Sequence, residues 1–144
     1  MLSSTADTNI YISGLNFGGL PRRFLNLAEA GVFRLAVSEG ILAEIAKVLD
    51  YEKIGWPTER IQQTIRQLRR FAEMVQPMET LQVITADPPD NRILECAMAA
   101  GSQYLITGDN HLLRLQQYGE TRIVKLAEFM EILQSESGAP GLLH

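Results

Sequence analysis

A chain of 144 residues with 46% hydrophobic and 21% charged residues is long enough to enclose a real core, which excludes a disordered tail or a cross-linked mini-protein. Its formal charge of −4 excludes a protein that coats duplex nucleic acid by bulk attraction, but not a nuclease whose own site is acidic. The single cysteine, Cys96, excludes an internal disulfide and a thiolate metal site, and beside Ile93, Leu94, Ala97 and Met98 it reads as core filling.

Taken in chain order, Met1 to Ala6 forms a short first strand that delivers Asp7, and Asn9 to Leu15 continues as a helix. Asn16-Phe-Gly-Gly19 is a loop, after which Pro21 opens a helix that Gly31 closes, with Phe24, Leu27 and Ala28 on one face. Val32 to Val37 fits a strand. Ser38 caps the helix after it, striped by Ile41, Leu42, Ile45, Val48 and Leu49. Glu44 is the misfit, because positions 41, 44, 45 and 48 share a face and an acid there is costly unless something pairs with it.

Gly55-Trp-Pro57 breaks the chain, and the spacing of Ile61, Ile65, Leu68, Ala72 and Val75 predicts one long helix from Thr58 to Val75. Arg60, Arg66, Arg69 and Arg70 fall mostly off its stripe; they could track an RNA backbone, but the plainer reading is a solvated face balanced by Glu59 and Glu73. Leu81 to Thr85 is a weaker strand. Asp87-Pro-Pro-Asp90 leads into a helix through Ala100, with Ile93, Leu94, Ala97 and Met98 inward and Gly101 as its stop. Tyr104-Leu-Ile-Thr107 is a buried strand that breaks at Gly108 and presents Asp109 just past its end. A short helix from Leu112 to Tyr118, a strand from Arg122 to Lys125 and a helix striped by Leu126, Phe129, Met130 and Leu133 complete a domain over residues 1–134, and residues 135–144 read as a flexible tail. Strands alternating with helices predict a central, mostly parallel sheet in a three-layer α/β/α sandwich.

Open α/β sheets place their sites at the carboxyl ends of strands, where Asp7 and Asp109 fall. Glu44 on an inward helical face and Asp90 in a helix's first turn complete a set of four acids. Carboxylates gathered in one place repel unless a cation joins them, and oxygen ligands of this kind suit Mg²⁺ or Mn²⁺. Setting these four aside leaves the 17 acidic residues equal to the 13 Lys and Arg. With two histidines and one cysteine, a nitrogen and sulfur zinc site is not expected.

Asp7-Thr-Asn9, Ser38 with Glu44 in Ser-Glu-Gly-Ile-Leu-Ala-Glu-Ile, Asp87-Pro-Pro-Asp-Asn91 and Thr107-Gly-Asp109, in that order from residue 5 to about 133, give a chain that resembles the PIN domain family. The nearest likeness is to the branch that supplies the toxin of toxin-antitoxin pairs. The resemblance implies a metal-dependent ribonuclease site in which Asp7, Glu44, Asp90 and Asp109 are the catalytic and metal-binding acids. One cation would activate water and a second would steady the leaving oxygen in hydrolysis of an RNA phosphodiester. Asn9, Ser38, Asn91 and Thr107 would orient carboxylates or hold water. The implied partners are an RNA substrate, an antitoxin protein and a second copy of the chain.

Each residue also has a plainer reading. Asp7 serves equally as a helix cap, Asp90 as the third residue of a helix capped by Asp87, Glu44 as the partner of Lys47 or of an arginine elsewhere, and Asp109 as a turn residue. Asp87 is the second-choice ligand. His111 reads first as a solvated helix-start residue, with contact to a ligand or scissile phosphate as the sharper alternative, and Trp56 as a packing anchor rather than a base-stacking platform. The polar Ser3-Ser-Thr5, where the family commonly has large aliphatic residues, motivates a second function: a degenerate module that binds RNA or protein without cutting. An aspartate-nucleophile phosphatase ranks low, because it needs an aspartate where Asn9 stands. No apolar run approaches the roughly 18 residues that cross a bilayer, and no basic leader precedes an apolar segment, so the expected location is cytoplasmic with no membrane partner.

Overall fold

The computed structural model describes residues 1–78, 80–81 and 88–137, along which strands alternate with helices. In chain order these are β1 (Ser3–Ala6), α1 (Thr8–Asn16), α2 (Gly19–Glu29), β2 (Arg34–Val37), α3 (Glu39–Asp50), α4 (Thr58–Phe71), β3 (Glu73–Met74), α5 (Pro88–Ala100), β4 (Tyr104–Ile106), α6 (Asn110–Leu113), β5 (Gln117–Tyr118), β6 (Thr121–Val124) and α7 (Leu126–Ser137). The strands form one six-stranded sheet in the order β3-β2-β1-β4-β6-β5, parallel except for the β5–β6 hairpin. Steps from β1 to β2 to β3 run one way across the sheet, and the return to β4 runs the other. Right-handed crossovers therefore put α1 to α4 over one face and α5, which packs on β1, β2 and β4, over the opposite face. This is the expected α/β/α sandwich.

The same reversal makes the site. The chain leaves β1 toward β2 but leaves β4 toward β6, so the carboxyl ends of these adjacent strands diverge and open a crevice between their connections.

The polar first strand is central, and its hydroxyls are all employed. Ser4 and Thr5 are fully buried: the Ser4 hydroxyl donates to the Arg34 carbonyl at 3.2 Å, and the Thr5 hydroxyl lies 2.8 Å from that of Ser102. Such pairs offset the desolvation that would otherwise penalise hydroxyls in a sheet interior. Cys96 is buried as expected, hydrogen-bonded to Thr5 and Ser38, and burial pushes its thiol up to about 12. Away from the crevice, Phe24, Phe33 and Phe129 meet at centroid separations of 5.0 to 5.8 Å and tie α2 to α7.

Several expected elements differ. The helix predicted from Thr58 to Val75 ends at Phe71, because Ala72 turns extended and Glu73–Met74 adds a strand to the open edge of β2, where the Val75 N–H reaches the Val37 carbonyl at 2.9 Å. A backbone ladder and the Arg34–Glu73 ion pair override an apolar spacing that ran on by coincidence. The helix predicted from Leu112 to Tyr118 is only α6, since Gln116 at φ 60° cannot continue a helix and Gly119 at φ 59° turns the chain into a hairpin. The helix expected to open at Pro21 begins at Gly19, with proline tolerated in its first turn. Met98, expected inward, is 43% exposed on the flank of α5. Leu81 is held by α5, its N–H donating to Glu95 at 2.7 Å, and not by a strand; positions 82–85 of that predicted strand, and Asp87, lie outside the described residues. The last helix runs to Ser137, into the stretch expected to be a tail, and residues 138–144 lie outside the described residues. Trp56 is the anchor expected of it, 8% exposed, with its indole N–H donating to Asn16 at 2.8 Å and Arg60 stacked 3.5 Å above its ring.

Candidate metal centre

Three helices begin where a strand ends at this edge of the sheet, and each is capped by its first non-helical side chain. Asp7 caps α1 by accepting the Ile10 N–H at 3.2 Å, Ser38 caps α3 by accepting the Ile41 N–H at 3.3 Å, and Asp109 caps α6 by accepting the His111 N–H at 2.7 Å. The backbone of Asp7 is itself fixed, since its N–H continues the β1–β4 ladder to the Ile106 carbonyl at 3.0 Å.

Thr107 joins the two aspartates. Its buried hydroxyl donates to the second oxygen of Asp7 and accepts the Asp109 N–H at 3.0 Å, so one side chain at the end of β4 ties the Asp7 carboxylate to the Asp109 backbone. Asp90 enters from the first turn of α5, buried at 7% exposure, and Glu44 from the half-buried flank of α3. Asp7, Asn9, Glu44, Asp90 and Asp109 line one cleft of about 140 Å³. One ligand atom each from Asp90, Asp109 and His111 lies within 4.8 Å of the others. Asp7 and Glu44 line the same space but stand outside that tight group.

The cleft is electrostatically expensive. Among the described residues no lysine or arginine pairs with Asp7, Glu44 or Asp109, whereas the exposed acids Glu39 and Glu73 are bridged by Arg69 and Arg34. Burial pushes the Asp7 carboxyl above its ordinary value, and the opposing hydrogen bonds from Thr107, Ile10, Gly108 and Asn9 do not restore it. Tyr11, wholly buried on α1, has its phenol pushed far up by burial, with further contributions from Cys96 and Asp7, so it stays neutral.

The sequence profile of the PIN domain matches residues 6–111, a span that runs from the last residue of β1 through β4 and contains all four acids. The chain belongs to the PIN domain family. No curated protein matches it. Among solved structures it is similar to a chain of the DNA-bound VapBC complex from Salmonella typhimurium, with a TM-score of 0.58 and 19% identity over 88% of this chain and 99% of that one. A likeness at that identity shows a shared fold.

Within this PIN domain the four sequence-predicted acids share one cleft, together with Asn9 from their supporting set. Thr107 sits directly beneath two of them, Ser38 is the α3 cap away from the cleft lining, and Asn91 is buried beside Asp90 on α5. Glu44 forms no ion pair with Lys47 among the described residues. His111 stands exposed in the first turn of α6, the solvated helix-start position expected of it, and one of its ring nitrogens also lies in the group with Asp90 and Asp109. The cap accounts for that closeness to Asp109, since it accepts from the residue two positions on and draws residue 111 back toward it.

Proposed function

We propose that this PIN domain is a divalent-metal-dependent endoribonuclease that hydrolyses RNA phosphodiester bonds. The observation that carries the reading is the convergence of Asp7, Glu44, Asp90 and Asp109 on one cleft without basic neutralisation of Asp7, Glu44 or Asp109 among the described residues. The donor set fits the group: oxygen ligands in a small, partly dry cleft suit Mg²⁺ or Mn²⁺. When bound, the cation supplies an activated water and compensation of the charge that develops on the phosphate and the leaving oxygen.

The chain's own residues hold and orient. Asp90 and Asp109 are the principal ligands, and Asp7 and Glu44 ligate or hold water on the adjoining walls of the cleft. Thr107 orients the Asp7 carboxylate and anchors the Asp109 backbone beside it, which limits the reorganisation that accompanies binding. Asn9, exposed at the rim, is placed to donate to a phosphate oxygen.

A chain of the DNA-bound VapBC complex shares this fold. Its fold likeness supports reading this chain as the toxin of a toxin-antitoxin pair, with a protein antitoxin and a second copy of the chain as partners in the cytoplasm. No helix among the described residues is long and apolar enough to cross a membrane. The polar first strand no longer favours a degenerate binding module, because its hydroxyls are structurally satisfied and leave Asp7 anchored in the ladder.

The test is cleavage of a defined RNA by purified protein with Mn²⁺ or Mg²⁺ and with chelator, set beside Asp90→Asn and Asp109→Asn variants from the same preparation scheme. Metal-stimulated cleavage lost in both variants is expected. Cleavage equal in wild type and variants, or none with either cation, contradicts the reading.

A further inference from the structure

We infer that His111 is an imidazole ligand of this centre, which makes the site prefer a divalent transition-metal ion over Mg²⁺; the inference rests on the metal-centre reading above. The Asp109 cap first fixes the His111 backbone, through the 2.7 Å hydrogen bond from its N–H. From that position the ring turns back on the same carboxylate, with Nδ1 3.4 Å from Asp109 Oδ1. This is longer than a usual N–H···O hydrogen bond, so the approach is a loose contact that leaves the nitrogen able to take an ion. Two donors held by one ion at bond lengths of about 2.1 Å stand roughly 3 to 3.4 Å apart when adjacent and about 4.2 Å apart when opposite. The His111–Asp109 pair falls at the adjacent value, and the wider group with Asp90 closes within 4.8 Å, a small adjustment from the opposite one.

Independence of the elements strengthens the point. Asp109 and His111 share the start of α6 and Asp90 comes from α5, so the group joins two elements; Asp90 and Asp109 line the cleft and His111 stands beside it. The His111 ring is 43% exposed and packed by little, which leaves it free to settle on an ion. Both oxygens of Asp7, by contrast, already accept hydrogen bonds from Ile10 and Thr107. The chemistry follows from the donors. Mg²⁺ demands an oxygen octahedron and sheds water reluctantly, whereas imidazole nitrogen gains affinity for first-row transition cations.

The experiment titrates the full chain and its His111→Ala variant with Mn²⁺, reading free ion by electron paramagnetic resonance, and separately with Mg²⁺ by calorimetry. Expected are tighter binding of Mn²⁺ than Mg²⁺ by wild type, and a fall of at least about tenfold in Mn²⁺ affinity in the variant with Mg²⁺ affinity changed far less. Electron spin-echo modulation of bound Mn²⁺ should show directly coordinated ¹⁴N in wild type and none in His111→Ala. His111→Asp, which returns an oxygen donor, should narrow the gap between the two cations. Coincident unfolding midpoints of the metal-free proteins would show that the fold is intact. Mn²⁺ bound by wild type without a nitrogen signal, or affinities for both cations falling together, would overturn the role of His111 and leave the metal centre standing. Failure of wild type to bind either cation would remove both.

Discussion

The exits of β2 and of β1 and β4 solve one local problem in two ways. All three strands hand over to a helix at the same edge of the sheet, and all three helices need an acceptor for their free first-turn N–H groups. At β2 the neutral Ser38 suffices, at 3% exposure and with no charge to desolvate. At β1 and β4 the acceptor is an aspartate, and Asp7 is nearly as buried as Ser38. Since a hydroxyl caps well enough, capping alone does not account for the charge at the two central strands. Under the function proposed above, the charge is a cost carried for something the crevice binds, and those strands stand at the reversal of the connection, where open sheets of this kind hold their ligands.

Substitutions that keep the cap and remove the charge break this comparison most sharply. Asp109→Ser should retain α6 and the circular dichroism of the parent but lose metal-dependent RNA cleavage by about 100-fold or more. Undiminished cleavage would reduce Asp109 to a cap. The converse control lies at the other end of α1. A Cβ on Gly14 would stand 2.7 Å from Leu25 Cδ1 and 2.8 Å from the Pro21 carbonyl, so Gly14→Ala should cost about 1–3 kcal/mol in urea unfolding. Its Mn²⁺ affinity, measured on the folded protein, should match the parent's.

Thr107→Val keeps shape and removes the hydroxyl that serves both aspartates. It should destabilise by about 1–2 kcal/mol and weaken Mn²⁺ binding by about 10–100-fold, read by denaturant titration and calorimetry. The smallest effect concerns proton linkage at Asp7. Its folded pKa is raised by burial, so the native state binds this proton more readily than the unfolded chain. In metal-free protein its contribution to stability therefore falls as pH rises from the unfolded value, near about 4, through the raised folded value. Asp7→Asn should flatten that part of the profile and raise the unfolding midpoint near neutral pH in chelator. A variant less stable than its parent there would mean that the carboxylate is stabilised by its surroundings.

Much of this was legible in the residues, for identifiable reasons. The Tyr104-Leu-Ile-Thr-Gly-Asp run could be placed because a buried strand ending in glycine leaves little choice for the next residue, and Ser38 could be read as a cap because a hydroxyl before an amphipathic stripe has one obvious use. The four acids were separable from the other thirteen because each fell where a charge is out of place or where sheets put their sites. Illegible features depended on partners distant in sequence. Glu73–Met74 became a strand only because β2 had an open edge, and Ser4 and Thr5 could look like weak strand formers until Arg34 and Ser102 were seen to complete them. The closeness of His111 to Asp90 was illegible for the same reason: it is set by where the starts of α5 and α6 come together, which no local spacing encodes.

The most direct test of the account is anomalous scattering from crystals of the chain grown with Mn²⁺. The account predicts a peak in the cleft at about 2.1–2.3 Å from carboxylate oxygens of Asp90 and Asp109, absent from crystals of Asp109→Ser. An empty cleft at saturating Mn²⁺, or a peak there that survives removal of that carboxylate unchanged, would contradict it.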